Sequence, residues 1–275
     1  MNKRRKTVIF LGDGMADEPV EALGNRTPLQ YARTPAMDSI ARAGRCGSLL
    51  TLPEGFSTSS EVANMSVLGC DLAAEYRGRG PIEAAGRGIP LGADDIAFRI
   101  NLTTVENGVL RDFSGGHIGE KEAAELVAEL DRRLGARDIR FRSGVSYRNI
   151  LVLSGPRFSG EVKPEKPDAH PGELVSDLLP SAGSPAADET VSVLKHLMAD
   201  ATAILETHPV NRRAVAEGRA PANGIWPYSG GGAGGMRKLK EKYGVTGAVI
   251  SAVDVIRGLG LCLGMDVIDV PGATG

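Results

Sequence analysis

The sequence predicts an α/β protein, a doubly wound sheet interrupted by an inserted α+β domain. Three observations lead there. Short apolar runs rich in β-branched residues alternate with helix-period segments at the start of the chain; the character changes near residue 75; and the opening style returns after residue 185. With 275 residues the chain exceeds an ordinary domain of about 100–150 residues. The predicted division is therefore residues 1–74 and 186–275 as one domain, with 75–185 as the insert.

The first run, residues 7–11 (TVIFL), ends in Gly-Asp-Gly and reads as a buried parallel strand with a loop at its carboxyl end. Residues 35–44 read as a helix, with Ala36, Met37, Ile40 and Ala41 at helical spacing. Residues 47–52 read as a second strand and 61–68 as a helix. A Gly- and Arg-rich stretch, 76–91, opens the insert. Within it, 96–102, 109–110 and 149–153 read as strands, and 121–134 as an amphipathic helix with Ala124, Leu126, Val127, Leu130 and Leu134 on or near one face. Residues 164–185 are rich in proline and polar side chains, with one short helical stretch. After the insert come a long helix at 187–205, Ile225-Trp226, a glycine run at 230–235, a strand at 248–251, a helix at 253–263 and a strand at 267–270. The chain stops on a Pro-Gly turn directly after that strand, which leads us to expect that a C-terminal portion is missing.

Hydrophobic residues make up 42% and charged residues 24%, as in globular proteins, and the formal net charge is −2. A nucleic-acid or anionic-membrane partner calls for a basic excess that this balance does not supply. Cys46, Cys70 and Cys262 are odd in number and form no C-x-x-C pair, which fits a reducing, cytoplasmic setting better than a disulfide framework or a zinc knuckle. The basic opening is followed by only four apolar residues, Val8 to Leu11, too few for a secretory segment, and reads as a solvated N-terminal arm.

Two positions are the main candidates to carry chemistry. Asp13 stands between Gly12 and Gly14 at a strand end, where the glycines leave room beside the carboxylate and a hard cation finds an oxygen ligand; the same Asp-Gly pair also suits an ordinary turn. Ser60 follows Thr58, and Thr58-x-x-Glu61 matches a capping box, so Ser60 falls in a first helical turn, where free N–H groups and the dipole favour a phosphoryl group or an alkoxide. Serines are common at helix starts for structural reasons as well. The glycine run at 230–235 lacks the G-x-x-x-x-G-K-[ST] pattern and reads as a mobile surface loop, and Gly258-Leu-Gly260 follows a helix, not a strand, which removes a dinucleotide fingerprint. His117, after Gly115-Gly116, is placed to reach a phosphate or carboxylate, or is simply a loop histidine. Arg77, Arg79, Arg87, Arg148, Arg212 and Arg213 are candidates for binding oxyanions.

Taken together, Gly12-Asp13-Gly14-Met15-Ala16-Asp17, Thr27-Pro28-Leu29, Thr34-Pro35-Ala36-Met37-Asp38, Ser60-Glu61-Val62-Ala63-Asn64-Met65 and Gly78-Arg79-Gly80-Pro81-Ile82-Glu83-Ala84 resemble the archaeal-type cofactor-independent phosphoglycerate mutases of the alkaline phosphatase superfamily. His208-Pro209-Val210-Asn211 and the 248–254 segment ending in Asp254 extend the match along essentially the whole chain, in order. The resemblance implies an alkaline-phosphatase-like sheet and two divalent metal ions, manganese or magnesium, with no 2,3-bisphosphoglycerate. It implies that Ser60 is the nucleophile that becomes a phosphoserine while 3-phosphoglycerate and 2-phosphoglycerate interconvert. Asp13 and the Ser60 oxygen then ligate one metal, and His117, Arg148, Asn211 and Arg212 bind substrate. The expected partner is a small-molecule phosphoglycerate, without nucleic acid or membrane.

Asn64 stands where many mutases carry histidine, resembling the branch that has also borne a homoserine kinase label. A phosphatase or a homoserine-kinase-like phosphotransferase on the same scaffold is therefore the alternative, and a non-catalytic remnant is a third. The resemblance puts the remaining metal ligands beyond residue 275, so residues 1–275 are expected to be a fragment, inactive by themselves.

Overall fold

A computed structural model describes residues 6–163 and 165–272. The basic N-terminal arm, apart from Lys6, lies outside the described residues, as do Pro164, which opens the proline-rich segment, and the last three residues of the terminal turn. The chain forms two units, residues 1–50 and 51–275.

In the first unit, α1 (Pro28–Tyr31) starts on a reciprocal cap: the Gln30 amide donates to Thr27 Oγ1 at 3.1 Å, and the Thr27 amide to Gln30 Oε1 at 2.9 Å. Pro35 opens α2 (Pro35–Ala43), where its missing N–H is no loss. The two strands expected at 7–11 and 47–52 are not strands; these residues pair with no strand among the described residues, and Phe10 is 90% exposed. A short apolar run becomes a parallel strand only when a neighbour takes its backbone hydrogen bonds and its faces are covered.

The second unit begins with α3 (Ser60–Val67), α4 (Leu72–Glu75) and α5 (Arg79–Gly86). A sheet follows, made of β1 (Asp95–Glu106), β2 (Val109–Asp112), β3 (Ile139–Val145) and β4 (Arg148–Ser154), with α6 (Glu120–Leu134) between β2 and β3. After a small antiparallel pair, β5 (Val162–Lys163) and β6 (Ser181–Ala182), come α7 (Asp188–Glu206), α8 (Pro209–Ala216) and β7 (Gly224–Gly232). The strands run β2-β1-β4-β3, with β7 also on β1, all antiparallel. The proline-rich stretch between β5 and α7 holds 3₁₀ turns at Pro167–Ala169 and Val175–Leu178.

Alternation along β1 assigns its two faces. Phe98, Ile100 and Leu102 enter the main core with Leu126 and Leu130 of α6, Leu194 and Leu205 of α7, and Trp226 of β7. On the opposite face, Ala97 packs with Ile150, Val152 and Ala84 of α5. Elements on both sides of residue 185 thus share one core and one sheet.

The chain closes with α9 (Leu239–Tyr243), β8 (Ala248–Val249), α10 (Asp254–Cys262) and β9 (Asp266–Val267). The β8 and β9 strands pair in parallel across α10, a single βαβ turn. Close backbone contact joins α10 to α5: a Cβ on Gly258 would sit 1.9 Å from the Ile82 carbonyl oxygen. Around this contact Val62, Met65, Ile82, Val255, Leu259 and Leu263 form a second core. The glycine run is not a loop throughout. Gly230, Gly231 and Gly232 end β7, and a Cβ on Gly231 would meet the Arg77 carbonyl oxygen at 1.4 Å. Glycine is required there because another backbone lies against the strand.

Candidate active site

Ser60 is the first residue of α3 and is partly exposed. The helix is not capped as the sequence suggested. Ser59, not Thr58, holds the N-cap position, in extended backbone, and makes no side-chain cap. Its hydroxyl instead meets Ser57 Oγ at 3.0 Å. The Thr58–Glu61 capping box does not form because the Glu61 carboxylate is drawn away into the protein: Tyr76 Oη donates to it at 3.1 Å and Arg79 Nη1 at 3.3 Å. No side chain therefore caps the first turn beneath Ser60, the arrangement in which a helix start receives an anion. Asn64, one turn on, donates its amide to the Ser60 carbonyl oxygen at 2.8 Å.

Behind Ser60 lies a largely buried set of charges, of which only Arg79 stood out in the sequence. Arg79 Nε donates to Glu83 at 2.6 Å, and Arg99 Nη1 reaches the same Glu83 oxygen at 3.2 Å. Burial works against the charge on Arg79, yet Glu83 and Glu61 hold its pKa above the usual arginine value. Burial, reinforced by the Glu61 charge, pushes the Tyr76 phenol up to about 12, so it stays a donor at neutral pH. Several arginines read as oxyanion binders are thus engaged within the protein: Arg79 as above, Arg87 with Asp254 at 2.5 Å, and Arg213 with Glu122 at 3.7 Å.

His117 lies on the turn after β2, and Arg148 opens β4 directly after the turn that contains Ser146. Gly115, Gly116 and His117 all have positive φ, at 60°, 69° and 53°. Two glycines are needed because a Cβ on Gly115 would lie 2.8 Å from the Ala222 Cβ, and one on Gly116 3.0 Å from the Ala220 Cβ. Asp112 accepts from the Ser114 amide and hydroxyl, each at 2.6 Å, and Ser114 Oγ accepts the His117 amide at 3.1 Å. Ser146 Oγ donates to the Ile118 carbonyl at 2.6 Å and ties this loop to the turn before β4. The Arg148 guanidinium stacks 4.7 Å from the Tyr147 ring, and Tyr147 meets Phe113 edge-on. The His117 and Arg148 side chains are exposed.

Asn211 and Arg212 are neighbours on α8 with opposite surroundings. Asn211 is buried, and its amide is committed to the backbone: Nδ2 donates to the carbonyls of Leu205 at 2.9 Å and Ala222 at 3.0 Å, and Oδ1 accepts the Ala222 amide at 2.9 Å. It reaches the His117 loop through Ala222, against which Gly115 packs. Arg212 is exposed. In the first unit, Asp13 is exposed in a turn whose next residue, Gly14, has φ 69°. Among the described residues, no three His, Cys, Asp or Glu side chains gather as a metal centre.

The family model for 2,3-bisphosphoglycerate-independent phosphoglycerate mutase matches residues 41–211. Over 270 residues, 98% of this chain, it is 47% identical to the protein of that name from Methanosarcina acetivorans and 49% identical to that from Methanothrix thermoacetophila; in each case it spans 66% of the relative's length. Among solved structures, a cofactor-independent phosphoglycerate mutase from Thermoplasma acidophilum superposes with a TM-score of 0.59 at 32% identity, covering 94% of this chain and 68% of its own. A Pyrococcus horikoshii protein superposes at 0.73 and 29%, covering 95% and 61%. With the matching model extending over more than half of its residues, this α/β chain belongs to the 2,3-bisphosphoglycerate-independent phosphoglycerate mutase family.

Proposed function

We propose that this protein takes part in the interconversion of 3-phosphoglycerate and 2-phosphoglycerate, the glycolytic isomerisation, through a phosphoserine at Ser60. The observation that carries the reading is the partly exposed Ser60 hydroxyl at the start of a helix whose first turn no side chain caps, in a chain of this family. Ser60 Oγ bonds to phosphorus as its proton passes to the glycerate 3-oxygen, whose bond to phosphorus breaks; the glycerate 2-hydroxyl then takes the phosphoryl group and returns a proton to Ser60, and the first-turn N–H groups of α3 stabilise the phosphoryl oxygens. Arg148 and Arg212 hold the glycerate carboxylate and phosphate, and His117, on a loop stiffened by Ser114, contacts the transferring group. Asn211 acts one step back, by fixing the segment on which that loop rests. Residues 75–185, which share one core with α7 and one sheet with β7, cover the substrate and exclude water, which favours return of the phosphoryl group to glycerate over hydrolysis. The reaction needs no 2,3-bisphosphoglycerate, as the family's description states. Reduced cysteines Cys46, Cys70 and Cys262 suit a cytoplasmic setting, and no helix among the described residues is long and apolar enough to cross a membrane.

Asp13 and Ser60 each offer a hard oxygen donor of the kind that Mg²⁺ or Mn²⁺ prefers, and among the described residues no three His, Cys, Asp or Glu side chains gather as a metal centre. When bound, two such ions would lower the serine pKa and neutralise phosphoryl charge. We infer that residues 1–275 alone do not turn over substrate. Joined to the part of a family member that it does not match, and incubated with 3-phosphoglycerate and manganese, the chain tests the assignment: 2-phosphoglycerate identifies a mutase, whereas free phosphate, or an ATP requirement with homoserine, identifies the phosphatase or kinase alternative that Asn64 suggests.

A further inference from the structure

The buried charges behind Ser60 do not end there. From Glu61, Arg79 leads to Glu83, and Glu83 to Arg99 on β1. The Arg99 guanidinium lies 5.3 Å from the centre of the Tyr228 ring on β7. Tyr228 Oη donates to Asn101 Oδ1 at 3.3 Å, and Asn101 Nδ2 donates to the Phe113 carbonyl at 3.0 Å. Phe113 adjoins Ser114, which holds the His117 amide. A series of hydrogen bonds, joined by one cation–π contact between Arg99 and Tyr228 and by the Phe113–Ser114 chain link, thus runs from the residue after Ser60 to the loop that carries His117, across α3, α5, β1 and β7. Arg79 is fastened a second time where its amide donates to Ser229 Oγ at 3.1 Å.

Its composition argues against a solvated accident. Glu61, Glu83, Arg99 and Asn101 are buried, and two carboxylates balance two guanidiniums. Arg99 and Asn101 fall at odd positions of β1, on the α5 face, among neighbours such as Ala97 that are apolar. Two arginines share one Glu83 oxygen, so a shift of either moves the other. Each member is committed in direction: carboxylates only accept, guanidiniums only donate, and the Tyr228 phenol, pushed up to about 12 chiefly by burial, remains protonated at neutral pH.

We propose that this relay sets the register of the Ser60 helix against the His117 loop, with Glu61, Glu83 and Tyr228 as positioning residues for phosphoryl transfer between them. The proposal rests on the mutase reading for its purpose, but the coupling itself is measurable without substrate. The chain has four histidines, His117, His170, His196 and His208, so ¹⁵N-histidine labelling gives a spectrum simple enough to follow His117. Glu61→Gln is expected to shift the His117 ring resonances and leave His196, on the surface of α7, in place. In a Tyr228→Phe background, which removes only the hydroxyl contact to Asn101, the same Glu61→Gln change is expected to leave His117 unmoved. Amide exchange in 113–118 is expected to rise about tenfold in Tyr228→Phe, with 120–134 unchanged. Should Glu61→Gln not fold, Tyr76→Phe removes a single donor from the same carboxylate and replaces it in the cycle. An unshifted His117 in Glu61→Gln, an equal shift with and without the Tyr228 hydroxyl, or a uniform rise in exchange over the whole unit overturns the relay. None of these outcomes depends on turnover, so failure of the mutase reading would show separately, as no conversion of 3-phosphoglycerate by residues 1–275 joined to the remainder of a family member.

Discussion

Asn211 and Ala222 are joined twice: the Ala222 amide donates to Asn211 Oδ1 at 2.9 Å, and Asn211 Nδ2 donates back to the Ala222 carbonyl at 3.0 Å. A third bond, to the Leu205 carbonyl, anchors the pair to the end of α7. Asn211→Leu leaves these buried backbone groups unpaired and is expected to destabilise the second unit by about 1–3 kcal/mol. Urea denaturation reads the loss, and amide exchange should show it spreading to residues 114–118, where Gly115 packs on Ala222. Unchanged exchange there would separate Asn211 from the His117 loop.

The Glu75–Lys242 pair predicts a pH dependence. The Lys242 ammonium meets the Glu75 carboxylate at 2.5 Å, both side chains are 3% exposed, and Arg237 adds a contact at 3.2 Å. Burial alone would raise the Glu75 pKa, but Lys242 and Arg237 outweigh it and hold the carboxyl below its usual value of 4.5. A depressed carboxyl stabilises the fold fully above the usual value and loses that contribution as pH falls through the lowered one. Glu75→Gln, which strands the ammonium, should cost about 3–5 kcal/mol at neutral pH. The gap between wild type and variant, followed by urea midpoints, should hold constant down to the usual glutamate range and close below it.

Gly231 and Gly234 separate two kinds of glycine in one run. A methyl group at Gly231 would strike the Arg77 carbonyl oxygen, whereas nothing lies within 4 Å of a Cβ on Gly234, whose φ is 85°. Gly231→Ala should therefore cost about 3 kcal/mol or more, since a backbone must move. Gly234→Ala should cost about 1–2 kcal/mol from conformational strain alone. Thermal melts of the two variants rank them, and equal losses would contradict the packing of β7 on the Arg77 backbone.

Legibility in the sequence followed how much of an element's stability is local. The α6 and α7 helices and the β1 and β4 strands declare themselves by apolar spacing, because Leu126, Leu130, Leu194, Phe98 and Leu151 face one core. The α5 helix does not: it contains two glycines and a proline, and is helical because Gly80 and Gly86 let it lie against β1 and α10. The β3 strand is obscured by Arg140 and Arg142, which pair with Asp95 and Asp131. Residues 7–11 look like a strand and are not one, since strand formation depends on a neighbour that no local pattern encodes.

In the site, Ser60 at a helix start was readable, but its cap was misassigned by one residue. Tyr76 and Arg79, which divert Glu61, are distant in sequence and belong to no motif with it. Asn211 was foreseen as a contact to substrate, yet its amide is spent on the backbone, a distinction only tertiary structure draws.

Ser60 makes no side-chain hydrogen bond that the fold depends on, so Ser60→Ala should alter stability by about 0.5 kcal/mol or less while removing the hydroxyl proposed to accept the phosphoryl group. Chemical denaturation of the variant checks the first half of that statement.

The central claim is that Ser60 carries the phosphoryl group between the two phosphoglycerates. Its most direct test joins residues 1–275 to the part of the Methanosarcina acetivorans relative that they do not match, supplies manganese and 3-phosphoglycerate, and assays 2-phosphoglycerate alongside mass-spectrometric mapping of phosphoserine. The account predicts 2-phosphoglycerate and phosphate on Ser60 from the chimera, and neither from its Ser60→Ala form or from residues 1–275 alone. Turnover that survives Ser60→Ala, or phosphate trapped on another residue, would contradict it.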